Sequence, residues 1–314
     1  MIRRILVPLN QTLLSRSAVP LASSLALASG AQVVLLTIVS EATPFDPLIG
    51  IDTEDTRNVS ERYLSQIEDE LHQQGIDAQQ VILQGDPAAF IVMFAATQGV
   101  DLIVMATHAR GGVDRWSLGS VADEVMRKSP VPVMLTRADS ETKRTDTLLP
   151  KRILVPLDGS TKSEWIMPIV VAVADIAQSE IVLLHVLPQH ESDALMPAVH
   201  DNATDPAYDI VATTWGTRHA VDYLEAVARR YGIPDRPGTA LVRVGEPPAH
   251  ILGTAVQEAV DLIAITTHGR SGVRRFALGS VATRIVQESR LPLLTISVGA
   301  IEVWEDRGAT GKTN

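Results

Sequence analysis

The chain has 314 residues, the length of two ordinary domains. It is 46 % apolar and 20 % charged, so two cores can be built and a disordered chain is excluded. The net charge of −10 is spread over two acidic halves, which argues against nucleic acid or an anionic membrane as partner, and the absence of cysteine excludes disulfides, thiolate chemistry and Cys-based zinc sites.

In chain order, the start Met1-Ile2-Arg3-Arg4-Ile5-Leu6-Val7-Pro8 does not read as a leader, since no long apolar stretch and small-residue cleavage site follow its charges. Short β-branched runs at 2–9, 32–39, 78–84, 101–106 and 132–137 read as strands buried on both faces. Helical patterns at 14–29, 55–74, 87–98 and 119–128 lie between them. A polar, charged linker follows at 139–150. The plan then returns, with strands near 151–157, 180–187, 239–244, 261–266 and 292–297. The most apolar run, Ile166 to Ala177, contains Pro168 and Asp175 and is too short to span a bilayer. The expectation is a soluble, cytoplasmic protein.

The second half repeats the first. Ile5-Leu6-Val7-Pro8-Leu9-Asn10 returns as Ile153-Leu154-Val155-Pro156-Leu157-Asp158, 148 residues later. Tyr63-Leu64 returns as Tyr223-Leu224, and Gly85-Asp86-Pro87 as Gly245-Glu246-Pro247, now 160 residues apart. The second copy therefore holds 12 extra residues within roughly 188–220, a stretch with Pro188, Pro197 and Pro206 that reads as a loop. Asp101–Ser120 and Asp261–Ser280 agree at 12 of 20 positions. A period this long is a whole domain. The boundaries expected are 1–138, a linker at 139–150, 151–298, and a tail at 299–314. Strand–helix alternation predicts an α/β fold of two tandem, doubly wound domains, each a Rossmann-like sheet of five parallel strands with about four helices. Such sheets bind ligands beyond the carboxyl ends of their strands.

Three places in each copy fall at those ends. The first follows the opening strand: Asn10-Gln11-Thr12, and Asp158-Gly159-Ser160. A carboxylate there accepts from a ribose or base or helps to hold a metal ion; equally, Asp, Asn, Ser or Thr caps the next helix. The second is the turn after the fourth strand, Thr107-His108-Ala109-Arg110-Gly111-Gly112 and Thr267-His268-Gly269-Arg270-Ser271-Gly272. The third is Gly119-Ser120 and Gly279-Ser280, which open a helix. Glycine lets backbone approach a phosphate, and a helix start favours an anion. Leu262 to Gln287 holds no acid but has Arg270, Arg274, Arg275 and Arg284, whereas Asp114, Asp123 and Glu124 offset Arg110, Arg115 and Arg127 in the first copy. An ordinary exposed turn with solvated arginines is the competing reading.

These residues resemble the universal stress protein family, whose nucleotide-binding members carry G-x2-G-x9-G-[ST] after the fourth strand and Pro-x-Asp-x-Ser after the first. The second copy has Pro156-Leu157-Asp158-Gly159-Ser160 intact and reads Thr266-Thr267-His268-Gly269, nine residues, then Gly279-Ser280. The first copy has Asn10 for the aspartate and alanine, Ala106 and Ala109, at both leading glycines. The resemblance spans nearly the whole chain and implies an adenine nucleotide alpha hydrolase-like fold. It implies ATP, with or without Mg²⁺, bound by Pro156, Asp158, Ser160, Val186, Thr266, His268, Gly269, Arg270, Gly279, Ser280 and Val281. Val186 would meet adenine, Asp158 the base or ribose side, and Gly269, Gly279, Ser280 and Val281 the phosphates. The weaker first-domain counterpart is Pro8, Asn10, Ile38, Ala109, Gly119, Ser120 and Val121. His108 and His268 either donate to a phosphate or orient the turn through backbone. Family members pair through their last strands, which here implies intramolecular pairing through 132–135 and 292–295; a further homodimer is left open.

Other signals carry less. Gly308-Ala309-Thr310-Gly311-Lys312-Thr313 has Asp306 where a phosphate loop needs glycine, and no strand–turn–helix frame. His185 reads as a core histidine, and no carboxylate–His spacing fits a metal site. No nucleophile elbow or catalytic acid/base set occurs, so no catalytic residue is named and no more than slow ATP hydrolysis is expected. The expectation is an ATP-binding regulatory module of stress response with its better site in the second domain. The alternatives are a nucleotide-free interaction scaffold of the same fold, or an enzyme of a related nucleotide-binding fold.

Overall fold

A computed structural model of the chain describes residues 2–39, 53–107, 118–137, 149–188, 206–234, 239–267, 278–297 and 300. Of the expectations above, Ala109, His268, Gly269, Arg270, most of the linker, residues 189–205 and the tail from 301 lie outside these residues. The chain divides into two compact units, 1–149 with 290–314, and 150–289.

In the first unit the strands are β1 (Arg4–Pro8), β2 (Gln32–Val39), β3 (Ala78–Gln84), β4 (Leu102–Thr107) and β5 (Val133–Arg137). They lie in the order β3-β2-β1-β4-β5 and pair in parallel. Ile5, Leu6 and Val7 of β1 are fully buried, as expected of a central strand covered on both faces. β3, at the edge, is only half-buried along most of its length, so burial on both faces does not extend to it. Strand order reverses between β1 and β4, which opens a crevice above their carboxyl ends.

The helical pattern at 14–29 forms two helices, α1 (Leu13–Arg16) and α2 (Val19–Ser29). Pro20 enters α2 in its first turn, where its missing N–H costs nothing, and could not continue α1. α3 (Thr53–Gln73), α4 (Pro87–Thr97) and α5 (Ser120–Lys128) follow, so the described residues of this repeat form five helices where the sequence pattern predicts about four.

The second unit repeats the design with β6 (Arg152–Pro156), β7 (Glu180–Leu187), β8 (Ala240–Val244) and β9 (Leu262–Thr266) in the parallel order β9-β6-β7-β8. Its helices are α6 (Thr161–Glu164), α7 (Met167–Ala177), α8 (Pro206–Arg230), α9 (Pro247–Gln257) and α10 (Ser280–Glu288). α8 begins at Pro206, so the part of the insertion from 206 onward is helix and not loop. Relative to α3 the helix is extended at its start by about two turns, and proline is at home in a first helical turn.

The last strand, β10 (Leu293–Ile296), is the fifth strand of the second repeat in sequence but belongs to the first compact unit. It runs antiparallel to β5, with Leu293 opposite Leu135 and Thr295 opposite Val133. The Thr295 and Ser297 hydroxyls donate to the carbonyls of Val133 and Ser129 at 3.2 and 2.6 Å.

One carboxylate sets the base of each sheet. Asp101 accepts from the backbone N–H groups of Arg3 and Arg4 at 2.8 and 3.0 Å, and Asp261 from those of Lys151 and Arg152 at 2.8 and 3.1 Å. These bonds tie the start of the first strand of each repeat to the start of the fourth. The carboxyl ends of the two strands, where the crevice opens, are thereby held in register.

Candidate functional site

The second unit holds a cavity of about 230 Å³ above the carboxyl ends of β6, β7 and β9. Pro156 and Asp158 line one side, Val186 and Thr266 the floor, and Gly279, Ser280 and Val281 the other side. Seven residues named from sequence therefore meet in one cavity. Ser160 does not line it but holds Asp158: its N–H and hydroxyl both donate to Asp158 Oδ1, at 2.9 and 2.6 Å. Gly159, between them, has φ +82°, a left-handed turn residue. Ser160 also caps α6 by accepting from the Ser163 N–H at 3.2 Å, so this turn both lines the cavity, through Asp158, and caps the next helix.

On the opposite side Gly279 is the N-cap of α10, and no side chain caps that helix. The Gly279 N–H donates to the Thr267 carbonyl at 2.8 Å, which fixes the glycine beside the end of β9. The first N–H groups of α10 have no partner within the helix, and among the described residues no side chain caps them and no acid stands in the first turn, so the positive end of the helix dipole lies beside the cavity.

The apolar walls were not singled out in the sequence. Pro247 and Ile251, one turn apart on α9, and Leu184 and Ile265 complete the cavity. The repeated Gly-x-Pro segment was visible; that its helix would lean over the cavity was not. His185 is buried, as a core histidine should be, and also lines the cavity, with its ring edge-on to Tyr223 at 5.8 Å between centroids. Burial, and next the Glu164 carboxylate, push the Tyr223 hydroxyl well above its ordinary pKa. Glu164, itself buried, is ion-paired with Arg230.

The first unit has the matching cavity, about 310 Å³, which gathers Pro8, Asn10, Ile38, Gly119, Ser120 and Val121. The Asn10 Oδ1 accepts the Thr12 hydroxyl at 2.7 Å. The turn keeps its shape although Gln11, with φ +62°, replaces glycine, and the Gln11 amide donates to Ser60 Oγ at 2.6 Å. Gly119 opens α5 as Gly279 opens α10, but Asp123 stands in the first turn of α5. Among the described residues no group of three or more His, Cys, Asp or Glu could hold a metal ion, and no helix is long and apolar enough to cross a membrane.

Two parallel, doubly wound repeats, each with a crevice cavity between a first-strand turn and a glycine-started helix, define a tandem α/β protein of the Rossmann-like class. The chain belongs to the universal stress protein family, whose model matches residues 1–137 and again 150–297. It is 23 % identical over 202 residues to a universal stress protein of Mycobacterium tuberculosis, covering 64 % of this chain and 63 % of that relative's length. A universal stress protein of Methanocaldococcus jannaschii is 26 % identical over 152 residues, 46 % of this chain and 94 % of the relative. The crystal structure of a universal stress protein from Archaeoglobus fulgidus shares the fold, with a TM-score of 0.68 and 19 % identity over 94 % of this chain and 98 % of that one.

Proposed function

We propose that this protein is an ATP-binding regulatory module of stress response whose second repeat carries the nucleotide. The observation that carries this reading is the juxtaposition in one cavity of a serine-oriented carboxylate, Asp158, and an uncapped helix start at Gly279. A purine nucleotide needs these two chemistries at its two ends. Apolar surfaces at Val186, Pro247 and Ile251 suit the flat faces of adenine, Asp158 suits ribose or base donors, and the free N–H groups of α10 suit phosphate. Thr266 adds a hydroxyl to the floor. Gly269, His268 and Arg270 are assigned to the phosphates from the sequence motif.

The first repeat is the weaker nucleotide site. Asn10 replaces the carboxylate, and the helix turn that phosphate would approach holds Asp123, ion-paired with Arg127, where α10 has no acid. Among the described residues of either cavity no nucleophile stands with its base, and the role proposed is binding, with hydrolysis of ATP slow at most. The working location is the cytoplasm, and the antiparallel β5–β10 ladder supports pairing of the two repeats through their last strands.

A thermal-shift screen with ATP, ATP plus Mg²⁺, AMP and FAD tests the reading. ATP should stabilise the protein most, and Asp158→Asn should remove most of that shift. No shift with any nucleotide would replace this reading by an interaction scaffold, and preference for FAD by a flavin-binding relative.

A further inference from the structure

The second unit holds a further cavity, about 500 Å³, at the amino ends of its strands, and so at the far end of the sheet from the nucleotide cavity. It lies between the last turns of α7 and α8 and the start of β7. Strand pairing leaves room for it. β2 pairs with β3 from Val33 onward, whereas among the described residues β7 pairs with β8 only from Leu183, the counterpart of Leu35. Ile181 and Val182, which precede that pairing, line the cavity.

Three lining positions differ from the first repeat in one direction. Asp175 stands where the first repeat has Leu27, Glu180 where it has Gln32, and Tyr231, before Gly232-Ile233, where Gln74 precedes Gly75-Ile76. Close by, Glu258 replaces Gln98, while the base is unchanged, Arg152 matching Arg4. Arg152 is shared between two of the new acids, at 3.2 Å from Glu180 and 3.3 Å from Glu258, so one guanidinium serves a region with three carboxylates. In the first repeat the nearby acid, Asp77, accepts from the Gln32 amide at 2.9 Å. The four residues between Pro234 and Thr239 add one acid and one base, Asp235 and Arg236, and so no net charge. α7 and α8 also bring their carboxyl ends here, for Gln178 and Gly232, the left-handed residues that close them, both line the cavity. The last carbonyls of a helix carry the negative end of its dipole and attract cations. The Gln178 amide takes one of them, that of Asp175, at 2.7 Å.

We propose that this cavity binds a small organic cation of the aliphatic polyamine class. Its ammonium groups meet Asp175, Glu180 and the helix carbonyls, and its methylene chain rests on Val171, Ile181 and Ile233. Tyr231 adds an aromatic ring, a surface that attracts cations. A divalent metal ion such as calcium takes six or more oxygens, whereas this lining sets two carboxylates beside apolar side chains. The assignment stands on this cavity alone and does not depend on nucleotide binding at the other end of the sheet.

The test is a ¹H–¹⁵N NMR titration of the full, nucleotide-free chain with 1,5-diaminopentane, against sodium chloride and 1-pentanol at equal ionic strength. Saturable shifts are expected at the amides of 178–182 and 231–233 with the diamine alone. Asp175→Leu and Glu180→Gln, which install the residues of the first repeat, should each weaken binding by about threefold to fivefold. Asp69→Asn, which removes an equal charge from the exposed face of α3, should leave it unchanged. Glu180→Gln is the milder change and keeps the proposal exposed if Asp175→Leu fails to fold. Shifts that do not saturate or that pentanol reproduces, unchanged affinity in both cavity variants, or an equal loss in Asp69→Asn would each overturn it.

Discussion

Asp158 accepts two hydrogen bonds from Ser160, from its backbone N–H at 2.9 Å and its hydroxyl at 2.6 Å, while Asn10, at the same place in the first repeat, accepts the Thr12 hydroxyl at 2.7 Å. The bonds from Ser160 hold this carboxylate in place at the edge of the cavity. A hydrogen bond to a charged group contributes about 1.5–3 kcal/mol. Asp158→Asn should therefore weaken ATP binding by about 10–100-fold, measured by calorimetry. Ser160→Ala, which removes one orienting bond and keeps the carboxylate, should cost about threefold to tenfold.

The two repeats carry the same ion pair with its charges exchanged. Arg16 at the end of α1 pairs with Glu70 on α3 at 2.7 Å; Glu164 at the end of α6 pairs with Arg230 on α8. The first pair is partly exposed on both sides, 32 % at Arg16 and 42 % at Glu70, so Glu70→Ala should cost about 1 kcal/mol or less in chemical denaturation. The Glu164 side chain is only 11 % exposed, so Arg230→Ala leaves a nearly buried carboxylate unpaired and should cost about 1–3 kcal/mol. The exchange Glu164→Arg with Arg230→Glu, which copies the first repeat, should recover most of that loss.

Burial raises the pKa of Tyr63, Tyr223 and Tyr231, with Glu164 adding to the rise at the last two. A phenol whose folded pKa lies above its unfolded value favours folding fully below the unfolded pKa, about 10, and that contribution is lost as pH rises past it. Melting temperature should therefore fall from pH 9 to pH 11 by more than in a Tyr223→Phe variant. Equal slopes would contradict the assigned burial of this hydroxyl.

Much of this architecture is legible in the sequence because repetition reads it twice. The run Ile5-Leu6-Val7-Pro8 and its copy at 153–156 mark the same central strand, and Gly279-Ser280 marks a helix start whose N–H groups face the crevice. Less legible was whatever depends on packing between distant segments. The break between α1 and α2 turns on Pro20, which a periodic pattern tolerates. The pairing of β10 with β5 could not be told from burial in an ordinary inner strand, since Leu293 and Leu294 are apolar either way. Ile251 and Pro247 read as core because only the tertiary fold aims them at a cavity.

Gly245 occupies φ +136°, and a Cβ there would stand 2.5 Å from His250 Nε2; Gly85 repeats this at +144° against the Phe90 ring. Gly245→Ala should destabilise the protein by about 1–3 kcal/mol, because both the backbone conformation and the ring position oppose it. A denaturation midpoint equal to that of the wild type would show that the turn relaxes freely.

The central claim is that the two cavities are not equivalent and that the second takes the nucleotide. Calorimetric titration of the full chain with ATP, run beside Gly279→Asp and Gly119→Asp, tests it most directly. One ATP per chain is expected, with binding abolished by Gly279→Asp and retained by Gly119→Asp. Two equal sites, or loss of binding with Gly119→Asp alone, would contradict it.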